Sequence, residues 1–172
     1  MNQDLAALIR NVPDFPIPGV QFKDITTLLR DGPAFARVID LIAEQYRDQR
    51  IDVVAGVESR GFIFSAPVAY QLGAGLTPIR KPGKLPAKTI EVHYELEYGT
   101  NTLQMHADAF EPGARVLIVD DLLATGGTIA AAAELVKRLG GEVVALAFVI
   151  ELTFLNGRQR LGEYPIFSLI QY

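Results

Sequence analysis

The run Val116–Thr128, VLIVDDLLATGGT, starts as an apolar segment, turns acidic at Asp120 and Asp121, and closes on the small-residue stretch Ala124-Thr-Gly-Gly-Thr128. Apolar residues without period-two alternation read as a strand buried on both faces. Such a strand needs a parallel sheet covered by helices on either side. The glycines then mark a turn, and the alanine-rich Thr128–Leu139 after them reads as a helix stopped by Gly140-Gly141.

The same alternation extends outward in both directions. Downstream, Val143–Ile150 is a second buried strand and Pro165–Ile170 a last one. Upstream, Asp52–Val57 and Leu76–Ile79 read as strands around a helix at Phe62–Leu72 that ends at Gly73. Asp31-Gly-Pro33 is a helix start, with Asp31 as cap and Pro33 in the first turn. Phe35, Val38, Ile39, Ile42 and Tyr46 follow at helical spacing. Asp4–Arg10 reads as a short helix ended by Pro13, and Pro13–Gly19 as an extended or turning stretch. The expected fold class is α/β: a mostly parallel twisted sheet with helices on both faces, in a single domain spanning residues 1–172. The proline-rich residues 1–30 form a small hood at the sheet's edge. Residues 81–101 form a long functional loop or ribbon.

Composition narrows the chemistry. With 20 acidic against 16 basic side chains over 172 residues, the net charge of −4 argues against a nucleic-acid binder, which needs a basic face. The absence of cysteine removes disulfides, thiolate metal sites and cysteine nucleophiles together. With only two histidines, His93 and His106, a histidine-rich metal centre is excluded. The N-terminal residues lack the basic and apolar regions of a signal peptide, and no apolar run reaches the length of a membrane span.

Ligands of open parallel sheets bind beyond the carboxyl ends of the strands, where Asp120 and Asp121 stand. The amides of Ala124–Thr128 lead into a helix N-terminus, a pocket for an anion, and Thr125 and Thr128 add hydroxyls. Phosphate in the loop and vicinal hydroxyls on the aspartates describe a phosphorylated ribose. Neither G-x-x-x-x-G-K-[ST] nor G-x-G-x-x-G is present, so nucleotide hydrolysis and hydride transfer lose their usual sequence support.

These residues resemble the phosphoribosyl-pyrophosphate (PRPP) motif of type I phosphoribosyltransferases. Further stretches are similar to the adenine phosphoribosyltransferase family. They are Pro16–Thr26 (PIPGVQFKDIT), Gly56–Phe62 (GVESRGF), Ile79–Pro86 (IRKPGKLP), Leu96–Gly99 (LEYG) and Glu151–Leu155 (ELTFL). The resemblance runs in order through nearly the whole chain. It implies an enzyme that converts adenine and PRPP to AMP and pyrophosphate with Mg²⁺, in the cytoplasm, as a homodimer, without nucleic-acid or membrane partners.

The resemblance also implies roles. Ala124, Thr125, Gly126, Gly127 and Thr128 hold the 5′-phosphate. Asp120 and Asp121 take the ribose hydroxyls and reach Mg²⁺ through water; no direct protein ligand to the metal is assigned. Glu58, Ser59 and Arg60 bind pyrophosphate, with a cis peptide at Glu58–Ser59. Arg80, Lys81, Lys84 and Lys88 add four cations in nine residues, with Arg80, Lys81 and Lys84 at the pyrophosphate. Residues 81–101 act as a mobile loop over the site. Gln21, Phe22, Lys23 and Leu152 surround adenine. Glu97, Arg60 and Asp121 are the catalytic candidates, Glu97 helping to shift a proton as N9 attacks. His93 and His106 take no catalytic part. Two alternatives stay open at this point: transfer to another purine base, and a non-catalytic PRPP-sensing regulator that binds nucleic acid.

Overall fold

Each of the five apolar runs expected to be a strand lies in one parallel sheet. The computed structural model describes residues 2–95, 100–162 and 164–172. In chain order the elements are α1 (Gln3–Ala7), β1 (Arg10–Pro13), β2 (Gln21–Asp24), α2 (Thr26–Leu29), α3 (Gly32–Tyr46), β3 (Val53–Val57) and α4 (Gly61–Leu72). Then come β4 (Gly75–Ile79), β5 (Thr89–Glu95), β6 (Thr100–His106), β7 (Arg115–Leu123), α5 (Gly127–Arg138), β8 (Glu142–Glu151) and β9 (Ile166–Gln171). The sheet order is β4-β3-β7-β8-β9, with every neighbouring pair parallel.

The pleat explains why the central strands are apolar throughout. On β7, Leu117 and Val119 join Val38, Ile42, Phe64 and Val149 in the core under α3 and α4. Val116 and Ile118 point the other way, into a core with Ile129, Leu135, Leu146 and Phe148 beside α5. As expected, Asp31 caps α3, its carboxylate accepting from the Ala34 amide at 3.0 Å.

Two segments differ from the sequence reading. The first helix stops at Ala7, and Arg10–Pro13 pairs antiparallel with Gln21–Asp24. Tertiary bonds override the local helical pattern there: the Arg10 amide donates to the Thr27 hydroxyl, and that hydroxyl donates to the Leu8 carbonyl. Within the expected loop at 81–101, Thr89–Glu95 is a strand, paired antiparallel with β6 from Thr89↔His106 to Glu95↔Thr100. Its Val92 is buried with Leu103 and Met105 in the α5-side core, so the ribbon is anchored from beneath. The N-terminal segment does lie by the sheet's edge strand, where Asn2 donates to the Leu169 carbonyl and the Tyr172 hydroxyl to the Ala6 carbonyl.

Candidate active site

The carboxyl ends of β3 and β7 stand side by side in register and open on a cleft of about 410 Å³. Val57–Arg60, Lys81 and the arc Asp120–Ile129 line it. The arc turns at Gly126, whose φ of +83° is open to glycine and strained for other residues, and α5 starts at the next residue. Ala130 donates its amide to the Gly126 carbonyl at 2.9 Å. Among the described residues, no protein acceptor takes the amides of Thr125, Gly126, Gly127 or Thr128. These four residues line the cleft at the positive end of a 12-residue helix, an arrangement that suits an oxyanion. The Tyr94 hydroxyl of the ribbon comes within 3.4 Å of the Thr128 hydroxyl at its edge.

Asp120 and Asp121 meet behind this loop. The Asp121 amide donates to the Asp120 carboxylate at 2.9 Å, and the Asp121 carboxylate is ion-paired with the Arg60 guanidinium. Burial pushes the Asp120 carboxyl well above the usual carboxylate range; the neighbouring Asp121 charge adds to this and Arg60 opposes it. A half-buried carboxyl set beside a buried one destabilises a fold, and such pairs cluster at functional sites.

That arrangement has a pH signature. A carboxyl whose folded-state pKa is raised leaves stability intact below its unfolded pKa. Stability is lost as pH climbs from there through the folded value. Asp120→Asn removes the titration and keeps an oxygen for the Asp121 amide. Its melting temperature should therefore exceed the parent's at pH 8 by several degrees, at about 2–4 °C per kcal/mol for a chain of this size. Thermal melts at pH 4, 6 and 8 check this: the gap closes toward pH 4, and a gap independent of pH refutes the assignment.

Glu58, grouped in the sequence with the pyrophosphate residues, turns its carboxylate to the cations instead. Arg80 donates to both of its oxygens at 3.2 and 3.4 Å, and the Lys81 amide donates at 3.0 Å. The Lys81 amide, ahead of Arg80, holds the Glu58 carboxyl below its ordinary range. The carboxylate thereby ties Arg80 and the Lys81 backbone to the Glu58–Arg60 turn, and Glu58 itself lines the cleft. The Glu58–Ser59 peptide is cis, as expected. Lys84 supplies its carbonyl to Arg80 at 3.1 Å, which leaves its ammonium at the exposed surface of this segment. Glu97 lies outside the described residues.

A second cleft of about 470 Å³ adjoins the first, with Arg60 as the shared wall. It is largely apolar, built by Val12, Phe15, Phe22 and Ile25 under the β1–β2 hairpin. Phe15 meets Phe22 edge-on at 5.1 Å, and the Arg60 guanidinium lies 5.9 Å from the Phe22 ring centre. Asp24 also borders it, but Thr26 and then Arg10 already occupy its oxygens and hold its carboxyl down at about 2. Lys23 lines the cleft while its ammonium lies 3.9 Å from the Tyr172 ring centre. The Gln21 side chain accepts from Asn11 at 2.8 Å, and Leu152 packs with the α3-side core, so neither side chain reaches this cleft. Among the described residues, no group of three or more histidines or carboxylates is arranged to hold a metal ion.

The family model for the phosphoribosyl transferase domain matches residues 25–165. The adenine phosphoribosyltransferase of Chloroflexus aurantiacus is 71% identical over 170 residues, covering 99% of this chain and 98% of that protein. The chain belongs to the adenine phosphoribosyltransferase family. Among solved members of that family, the Thermoanaerobacter pseudethanolicus protein superposes with a TM-score of 0.96 at 53% identity, covering 99% of both chains. The Saccharomyces cerevisiae member, solved with an imino-altritol bisphosphate and adenine, superposes with a TM-score of 0.92 at 40% identity and 97% coverage of each chain. The family fold accounts for a contact that the sequence reading missed. A Cβ on Gly126 would lie 2.5 Å from the Gly157 carbonyl oxygen, and one on Gly157 would collide with the Ala124 carbonyl. Asn156-Gly157 reads as an ordinary turn, and only its distance from other motifs hid its place against the loop.

Proposed function

We propose that this chain transfers the 5-phosphoribosyl group of PRPP to N9 of adenine, yielding AMP and pyrophosphate in purine salvage. The observation that carries the reading is the pair of adjoining clefts: one donor-rich and acidic, the other aromatic, with Arg60 between them. The free amides of 125–128 take the 5′-phosphate, with Ala124 completing the arc. Asp120 and Asp121 receive the ribose hydroxyls, which holds C1 at the boundary of the two clefts. Ser59, Arg60 and Lys81 face the pyrophosphate, with Arg80 and Lys84 beside them.

Adenine enters the Phe22 cleft, where Phe15 and Phe22 offer aromatic surface and the backbone around Gln21 and Lys23 meets the purine edge. Leu152, at the carboxyl end of β8, is placed near the base by the family resemblance alone. As the C1–oxygen bond to pyrophosphate breaks, the N9–C1 bond forms on the opposite face, and the N9 proton passes to a base, the role assigned to Glu97. The surrounding charges stabilise the cationic sugar without a covalent intermediate. Asp120 and Asp121 would reach the water shell of an Mg²⁺ ion bound with PRPP, which would supply charge neutralisation at the pyrophosphate oxygens.

Phosphorylated substrates do not cross bilayers, which supports a cytoplasmic enzyme; no helix among the described residues is long and apolar enough to span a membrane. Ile63, Tyr70 and Leu76 lie exposed on α4 and β4, apolar surface of the kind a homodimer covers. Residues 81–88, largely exposed beside the cleft, form the cover over the site.

Steady-state assays with Mg·PRPP and each of adenine, guanine, hypoxanthine and xanthine test the reading. Adenine should lead in kcat/KM by about 10²-fold or more, since a site that hydrogen-bonds one base edge leaves its polar groups unpaired with another. Turnover of guanine but not adenine overturns the base assignment.

A further inference from the structure

Glu151 ends β8 almost fully buried, at 4% exposure, and the proposed transfer gives it no task. Both of its oxygens are taken by the Arg158 fork, each at 2.6 Å. Ser168 donates to it at 2.5 Å and Gln171 at 3.3 Å, and Arg158 reaches the Ser168 hydroxyl at 3.1 Å. These bonds, Arg158 foremost, hold the Glu151 carboxyl below its ordinary range. A bidentate pair with both oxygens bonded is the geometry in which a buried charge is tolerated.

The cluster fixes the short turn Gly157–Arg160 to the ends of β8 and β9. That turn rests on the phosphate loop. The Gly157 carbonyl lies against Gly126, and the Gly157 α-carbon against the Ala124 carbonyl, too close for any side chain on either glycine. Glu151 is also in register with Leu123, the residue from which the loop departs, and the Leu152 amide donates to the Leu123 carbonyl at 2.9 Å.

We propose that Glu151 and Arg158 are positioning residues for the 5′-phosphate: the ion pair locks the 157–160 turn, and the turn's backbone holds the Ala124–Gly126 arc in its amide-out conformation. The lock rests on the reading of that arc as a phosphate pocket. It acts on the sugar-phosphate end of PRPP and leaves the adenine and pyrophosphate regions alone.

Full-length Arg158→Lys and Gly157→Ala proteins test it in calorimetric titrations with ribose 5-phosphate, Mg-pyrophosphate and adenine. Lysine keeps the charge and loses the fork. Gly157→Ala presses on Ala124 without touching the ion pair, so it decides the matter if Arg158→Lys does not fold. The dissociation constant for ribose 5-phosphate should rise about tenfold or more while the other two stay within about twofold, because displacing a binding group by about 1 Å costs on the order of 10²-fold. In turnover, KM for PRPP should rise with KM for adenine unmoved. Unchanged ribose 5-phosphate affinity in the folded variants overturns the proposal, and so does an equal loss for all three ligands. If the unsubstituted protein binds pyrophosphate and adenine but not ribose 5-phosphate, the phosphate-pocket reading fails and takes the lock with it.

Discussion

Asp121→Ala lowers kcat/KM for PRPP by about 10²–10³-fold, the effect of removing one preorganised group that stabilises charge in a transition state. The Asp121 carboxylate is nearly buried at the end of β7, and its place is fixed by the strand pairing that sets β7 between β3 and β8. On the proposed reading it therefore meets the sugar without reorganising. As the bond to pyrophosphate lengthens, positive charge grows on the ribose ring, and a carboxylate held on the ring hydroxyls favours that state over the ground state. The loss should appear in kcat as well as in PRPP affinity. The fold should survive, because the partner left behind, Arg60, is 46% exposed and returns to water. Asp121→Asn separates charge from hydrogen bonding and should recover only part of the rate. Kinetics of both variants beside thermal melts check the claim; activity within a factor of about two of the parent would contradict a ribose-anchoring role on that same argument.

How much of this was legible before the coordinates follows from what each residue depends on. The parallel sheet was legible because Val116–Val119 and Val143–Ile150 are apolar on both faces, a property of the segment itself. The Asp31 cap and the α4 stop at Gly73 are equally local. The β1–β2 hairpin was not, since Thr27 and Phe22, remote in sequence, decide the conformation of Arg10–Pro13. The ribbon strand β5 was partly legible. Ile90, Val92 and Tyr94 alternate with Glu91, His93 and Glu95, a period-two signal obscured by the prolines and lysines just before it.

In the site, the phosphate loop and the aspartates announced themselves, because their chemistry and spacing sit in one continuous run. Glu58 did not. Its carboxylate is tied to Arg80, 22 residues away, a partner that no local spacing marks. The Arg60 bridge between two clefts and the Gly157 contact are likewise products of folding, with no signature in spacing. The sequence carries the candidate groups in local runs, whereas the contacts that hold them in place arise only from the fold.

Gly126→Ala should raise KM for PRPP by about 10²-fold, the scale of a binding group displaced by about 1 Å. Two independent costs converge at this residue. A side chain at φ +83° costs about 1–3 kcal/mol of backbone strain. Its Cβ would also stand 2.5 Å from the Gly157 carbonyl, itself backbone and tied down through the adjacent residue, so the neighbour cannot swing aside. The arc relieves both by rotating, and rotation turns the free amides away from the cleft. Stability falls too, so the binding loss has to be separated from general weakening. Gly140→Ala supplies the control. Gly140 has a φ of +79° just beyond the far end of α5, with Pro112 as its nearest neighbour. It carries the same conformational cost without touching the loop. Gly126→Ala should lose at least as much melting temperature as Gly140→Ala, while only Gly126→Ala loses PRPP. A parallel loss of PRPP affinity in Gly140→Ala would mean that the loop responds to stability at large, and the amide arc would then not be the element that recognises the phosphate.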